Sequence, residues 1–143
     1  MRIRTAIISD LTKIAKIEKQ VFTDSPWNHN LIRDELVSKK DRETLVITDY
    51  ENIIGYLMIR KSKNMIEILK FAIDKVFQEK GVGWRLFSYF LDSLPVMTEV
   101  ILEVNQENKK AIYLYRKAGF FKIGLRKKYY NDGSDALVMK FIN

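Results

Sequence analysis

The apolar period of the chain changes abruptly between residues 73 and 82. Upstream, the runs 44–48, 53–59 and 65–73 are rich in β-branched and large apolar residues. Asp49-Tyr50-Glu51-Asn52 separates the first two, and its Asp and Asn tolerate tight-turn geometry. Downstream, Gly81-Val82-Gly83 opens a segment in which Trp84, Leu86, Phe87, Phe90 and Leu91 recur at helical spacing as far as Pro95. A chain that makes this switch is neither all-helical nor all-β. The flanks extend the alternation. Residues 2–8 read as a strand, and Ser9 or Asp10 can cap a helix carrying Leu11, Ile14, Ala15, Ile17, Val21 and Phe22. Ser25-Pro26-Trp27 ends that helix, and Asn28 or Asn30 can start a second through Leu31, Ile32, Leu36 and Val37. Residues 99–104 predict a strand and 108–118 a helix closed by Gly119, while 120–130 and 135–141 form a terminal hairpin around Asn131-Asp132-Gly133. The resulting order, β-α-α-β-β-β-α-β-α-β-β, predicts a mixed α+β domain with helices on both faces of one sheet.

Composition narrows the chemistry. The 143 residues fit a single domain, 1–143, with no linker or repeat. There is no cysteine and one histidine, His29, which excludes a disulfide scaffold, a thiol nucleophile and a Cys-ligated or multi-His metal centre. Carboxylates, tyrosines, backbone or a borrowed cofactor must do the work, and no metal is expected. Met1-Arg2-Ile3-Arg4 leads into no apolar signal core, and no run approaches the ~18 apolar residues of a membrane span. A cytoplasmic protein is expected.

The net charge of +7 is local: 109–130 holds eight of the 25 Lys/Arg and no acid. Such a patch suits nucleic acid, a phosphorylated cofactor or a phosphate-rich surface, and equally a solvated helix face.

Two constellations can carry chemistry. In Gln78-Glu79-Lys80-Gly81-Val82-Gly83, glycines at a helix mouth let backbone N–H groups approach an anion such as pyrophosphate. This is no P-loop, because Lys-Ser/Thr does not follow Gly83, and no dinucleotide fingerprint, because Leu86 stands at the third glycine position. A glycine turn admitting a tightly packed helix has the same spacing. In the second constellation Leu102 and Val104 share one face of a strand, and Glu103 points to the other. A carboxylate leaving an apolar strand is a candidate base, since burial raises a carboxylate's proton affinity. Tyr115, on the next helix, can supply an acid. Read singly, Glu103 is also compatible with a surface carboxylate and Tyr115 with a packing residue.

Taken together, Q-x-x-G-x-G after a strand and before a helix, then L-E-V-x-x-x-N-x-x-A-x-x-L-Y-x-x-x-G-F, resemble the GNAT superfamily of acetyl-CoA-dependent N-acetyltransferases, whose element order is the one predicted here. Ser25-Pro26-Trp27, together with Arg126-Lys127-Lys128-Tyr129-Tyr130 and Asp135-Ala136-Leu137-Val138-Met139, resembles its RimI-type branch, which acetylates protein N-terminal α-amines. The resemblance runs from about Met1 to Phe141 and implies a mostly antiparallel central sheet.

It also implies roles. Backbone groups of Phe71, Ala72 and Ile73 would pair with pantetheine, and Gln78, Glu79, Lys80, Gly81, Val82, Gly83 and Trp84 would form the pyrophosphate loop. Asn108 would hydrogen-bond the cofactor. Glu103 would be the general base, and Tyr115, also at the cofactor, would protonate the departing thiolate. Trp27, Tyr129 and Tyr130 would line the acceptor groove. Direct transfer to an amine needs neither an enzyme nucleophile nor a metal, which suits this inventory. The chain departs from many relatives at Glu79-Lys80, where two basic residues are common, and at Trp84, where one is. Cofactor affinity would fall unless Lys80 and the basic patch compensate. The implied acceptor is a protein or peptide N-terminus, with a small-subunit ribosomal protein as the family's best-known example. A small amine is the alternative acceptor, and a non-enzymatic nucleic-acid module a distant one, since the chain carries no RNA-binding signature and no specific nucleic-acid partner is expected.

Overall fold

The computed structural model describes residues 1–37 and 40–143. Its elements run β1 (Arg2–Thr5), α1 (Leu11–Val21), α2 (His29–Leu36), β2 (Arg42–Asp49), β3 (Asn52–Ser62), β4 (Met65–Ile73), α3 (Val82–Asp92), β5 (Glu99–Asn105), α4 (Lys109–Ala118), β6 (Phe121–Arg126) and β7 (Ala136–Ile142). The predicted order is reproduced element for element. The strands form one sheet in the order β1-β2-β3-β4-β5-β7-β6. Every pair is antiparallel except β4 with β5.

Local chemistry explains where two elements differ from expectation. The first strand stops at Thr5 rather than running to residue 8. The Asp10 carboxylate accepts from Ile7 N (2.8 Å) and from both terminal nitrogens of Arg4 (2.8 and 3.0 Å), folding Ile8–Asp10 into a 3₁₀ turn. The last hairpin was expected to extend to Tyr130, yet β6 ends at Arg126. Lys128 has a positive φ of 52°, and its N–H donates to Asp135 Oδ1 at 2.9 Å, so Tyr129 and Tyr130 lie in the turn.

Two cores flank the sheet. Under α3 and α4 lie Leu57, Ile68, Leu86, Phe87, Leu102, Tyr115 and Met139, and under α1 and α2 lie Ile14, Ile17, Ile32, Tyr56, Met58 and Ala72. Helices cover both faces, as expected, but α1 and α2 pack over β2 to β4 only. On the β5-β7-β6 half of that face Phe121 remains 47% exposed.

The feature that shapes a site is a bulge. Ile68 pairs with Ile59 and Lys70 with Met58, so Leu69 is an extra residue on β4. The parallel ladder between β4 and β5 ends at Ile68 and Leu102, immediately before it. A bulge bends its strand and increases its twist. Beyond it the facing edges of β4 and β5 part, although β4 continues to Ile73 and β5 to Asn105.

Candidate active site

The gap between the parted strands gathers most of the singled-out residues. Phe71, Ala72 and Ile73 pair with Leu57, Tyr56 and Gly55 on one edge and with no strand on the other. Gln78 Nε2 donates to the Ile73 carbonyl at 2.9 Å, tying the glycine loop to the end of β4. That open edge offers backbone groups to an extended ligand as an added strand would.

At the mouth of the gap, Glu79 and Gly81 both have positive φ, 61° and 81°, and Gly81 caps α3. A left-handed residue directly before a helix turns the first N–H groups outward, toward any anion above them. Gly83 differs from Gly81. It lies inside α3, and a Cβ there would rest at ordinary contact distance, 3.5 Å from Leu114 and 3.6 Å from Ile73 and Phe71. Charge at the loop comes from α4. Lys110 pairs with Glu79 at 3.1 Å, and the Lys117 ammonium sits 4.5 Å from the Trp84 ring centroid. The two sequence departures, Glu79 and Trp84, are thus each matched by a lysine of the basic patch. Asn108 Oδ1 caps α4 by accepting from Ala111 N, which leaves its amide nitrogen as the group free to donate to a ligand.

Glu103 emerges on the face opposite Leu102 and Val104, as strand alternation requires. Its Oε1 meets Arg126 Nε at 3.3 Å, while Oε2 is buried with no partner among the described residues. The sequence had not linked Glu103 to Arg126. The register does: Asn105 pairs with Ala136 and Ala136 with Arg126, which puts Arg126 on the same face as Glu103, two strands across and one pleat along, within reach of two long side chains.

Tyr115 lies in an aromatic cluster, its centroid 5.3 Å from Phe87, 5.9 Å from Phe120 and 6.4 Å from Phe71. Burial, with a smaller contribution from Tyr130, pushes its phenol well above the ordinary value. Tyr113, by contrast, is 72% exposed. Tyr130 joins the two candidate proton carriers. It is close enough to Tyr115 to raise that phenol, and its own pKa is pushed up to about 12 by burial, then by Glu103 and Tyr129. Tyr129 stands edge-on to Tyr130, with centroids 5.2 Å apart, and Arg126 lies 5.6 Å from the Tyr129 ring. Asn105 Nδ2 fixes this turn by donating to Ser134 Oγ at 2.8 Å. Trp27 is half-buried against the core under α1 and α2, 5.3 Å from the Lys70 ammonium, so it flanks β4 while Tyr130 flanks β5. It is a packing anchor as well as a candidate groove residue.

An open strand edge, a left-handed turn at a helix mouth, a half-paired carboxylate and a buried phenol thus lie around one gap. Residues 8–120 match the acetyltransferase (GNAT) family, and the chain belongs to it as an N-acetyltransferase. It is 32% identical over 138 residues to the N-alpha-acetyltransferase RimI of Mycobacterium tuberculosis, covering 92% of this chain and 86% of that one. It is 28% identical over 143 residues to the [ribosomal protein bS18]-alanine N-acetyltransferase of Haemophilus ducreyi, covering 96% and 97%. An uncharacterized Mycobacterium leprae protein is 33% identical over 144 residues, 96% of this chain but 40% of that longer one. The fold superposes on the ribosomal-protein-S18-alanine N-acetyltransferase of Escherichia coli with a TM-score of 0.90, at 24% identity, over 98% of this chain and 92% of that one. The RimI-like resemblance and the α+β acyltransferase fold stand on these matches. Among the described residues no helix is long and apolar enough to cross a membrane.

Proposed function

We propose that the protein transfers acetyl from acetyl-CoA to the N-terminal α-amine of a protein or peptide, with a small-subunit ribosomal protein as a candidate acceptor. The observation that carries this reading is the gap beside the Leu69 bulge, with the unpartnered Glu103 oxygen on one flank and the open edge of Phe71 to Ile73 on the other. Phe71, Ala72 and Ile73 would hold the pantetheine of acetyl-CoA, the N–H groups of residues 81–84 its pyrophosphate, and Asn108 would donate to it; the group would supply the acetyl thioester. Glu103 Oε2, directly or through water, takes the proton of the incoming ammonium. The amine nitrogen then attacks the thioester carbon, the C–S bond breaks, the Tyr115 hydroxyl gives its proton to the departing thiolate sulfur, and the second proton shed by the nitrogen restores the Tyr115 phenol. Burial is consistent with an acid role for Tyr115 in that it keeps the phenol in the protonated form at neutral pH. Trp27, Tyr129 and Tyr130 hold the acceptor chain.

The relatives support a peptide acceptor, as the Haemophilus ducreyi protein is a ribosomal protein bS18-alanine N-acetyltransferase and Mycobacterium tuberculosis RimI an N-alpha-acetyltransferase. The decisive experiment is mass spectrometry of N-terminal peptides, including those of small-subunit ribosomal proteins, after incubation with acetyl-CoA. Acetyl on the α-nitrogen is the expected result. Transfer to spermidine or an aminoglycoside, with none to any peptide, would replace the acceptor class and leave the carrier site standing.

A further inference from the structure

A second group of ionisable side chains lies on the α1 and α2 face, and the acetyl-transfer chemistry does not use it. Glu18, on the inner side of α1, is fully buried. Its Oε1 accepts from the Tyr56 hydroxyl of β3 at 2.5 Å, and its Oε2 receives both Lys70 Nζ of β4 and the Trp27 backbone N–H, each at 2.9 Å. Burial, then Glu18, raises the Tyr56 phenol far above its usual value, so Tyr56 is a permanent donor to the carboxylate. The Lys70 ammonium also lies 3.9 Å from the Phe22 ring centroid and 5.3 Å from that of Trp27.

The three partners of this one carboxylate come from three different places. Tyr56 belongs to the middle of the sheet. Lys70 is the first residue after the Leu69 bulge, next to Phe71 on the open edge. Trp27 belongs to the loop 22–28 between α1 and α2. The far end of that loop is also tied down. Asn28 caps α2, and Glu35 of α2 is buried against Arg60 (2.8 Å) and Arg42 (3.3 Å). The loop is therefore strung between two buried carboxylates, and it is tied to the strand that borders the gap by Glu18 together with the Lys70 ammonium over Phe22 and Trp27. A buried ion pair is weak evidence for stability, because apolar residues of similar volume often serve as well. It fixes geometry strongly, since each partner leaves the others uncompensated if it moves.

We propose that Glu18 is a positioning residue that sets loop 22–28, and Trp27 with it, at a fixed height over β4, and so sets affinity for the acceptor without touching it. This rests on the reading that the loop borders the acceptor groove. The test replaces the pair in two ways. Glu18→Met/Lys70→Met removes both charges and the acceptor for Trp27 N–H, whereas Glu18→Gln/Lys70→Met also removes the ammonium's charge but keeps an oxygen for that N–H. Peptide KM, kcat, acetyl-CoA Kd by calorimetry, melting temperature and amide exchange at Trp27 are measured for each.

In the double Met variant peptide KM should rise about tenfold or more, as misplacement of a positioning element commonly costs. Acetyl-CoA Kd should stay within about twofold, and the Trp27 amide should exchange faster as its loop opens locally. The Gln variant should restore both KM and amide protection. If KM, kcat and acetyl-CoA Kd all track melting temperature, or if peptide KM is unchanged in the double Met variant, the positioning role is overturned. Should the double Met variant not fold, the Gln variant with raised peptide KM and an unprotected Trp27 amide overturns it equally, because that variant retains the proposed contact. A wild-type protein that acetylates no peptide overturns the reading of the groove instead, a result distinct from an unchanged KM in active enzyme.

Discussion

Glu103 Oε1 is held by Arg126 Nε at 3.3 Å, while Glu103 Oε2 is buried and free. The arginine pairs with one oxygen and leaves the other without a partner among the described residues. A carboxylate anchored in this way loses little orientational freedom when it takes a proton, and pre-organisation of that kind is what a general base needs.

Replacing Glu103 by Gln keeps an oxygen for Arg126 and removes the base. Turnover at pH 7 should fall by about 10²-fold or more. The deficit should shrink towards pH 9, because an α-amine with a pKa of about 8 is then largely free without help. A pH–rate comparison of the two proteins checks this, and near-normal turnover at pH 7 would return Glu103 to a structural role.

Gly83 offers a test in which stability and binding move in opposite directions. A Cβ there meets only ordinary contacts, and the position is helical. Gly83→Ala should therefore stabilise α3 by up to about 1 kcal/mol on helix propensity. The same methyl intrudes on the helix mouth and should weaken acetyl-CoA binding several-fold. Gly81→Ala, at φ 81°, should instead destabilise by about 1 kcal/mol. Melting curves and calorimetry on the two variants separate the effects, and unchanged acetyl-CoA affinity in Gly83→Ala would remove the loop from the cofactor site.

Tyr115→Phe keeps the ring in its cluster with Phe71, Phe87 and Phe120. Its melting temperature should stay close to wild type at pH 7 while turnover falls, and the exposed Tyr113→Phe should change neither. The pH dependence has a definite sign. Tyr115 and Tyr130 hold their protons more tightly folded than unfolded, so their contribution is complete below about pH 10, where unfolded tyrosine ionises. Stability should then be lost as pH rises from there through the folded value of about 12 for Tyr130. The alkaline loss should be shallower in Tyr115→Phe, and an identical profile in both proteins would contradict the buried-phenol account.

The order of elements was legible because it rests on local period and local punctuation: Asn28 and Asn108 do cap, Gly81 and Gly119 do adopt left-handed geometry, and the glycine loop does sit at a helix mouth. What was not legible depends on partners distant in sequence. Glu18 reads as an ordinary helix-surface acid until β3 and β4 bring Tyr56 and Lys70 against it. The Leu69 bulge has no glycine or proline to announce it, since an apolar residue that leaves the ladder looks like one that stays in it. Arg126 was visible in a charge run and in the segment that resembles the RimI-type branch, but its pairing with Glu103 depends on the register of β5, β7 and β6.

The proposed acceptor class can be tested at the turn after β6. Tyr129 is 52% exposed and edge-on to Tyr130, which reaches inward toward Glu103 and Tyr115. Their environments predict separable effects. Tyr129→Ala removes an exposed aromatic wall that would pack on an extended peptide, and should raise peptide KM with little change in kcat. Tyr130→Phe keeps the packing but deletes the hydroxyl nearest the proton carriers, and should lower kcat more than it raises KM. In the double alanine variant peptide KM should rise far more than acetyl-CoA KM. Wild type should prefer a peptide with a small free N-terminal residue over spermidine or a lysine side chain. If both single variants changed spermidine kinetics as much as peptide kinetics, the tyrosines would belong to the reacting centre alone, and the peptide groove would have to lie elsewhere.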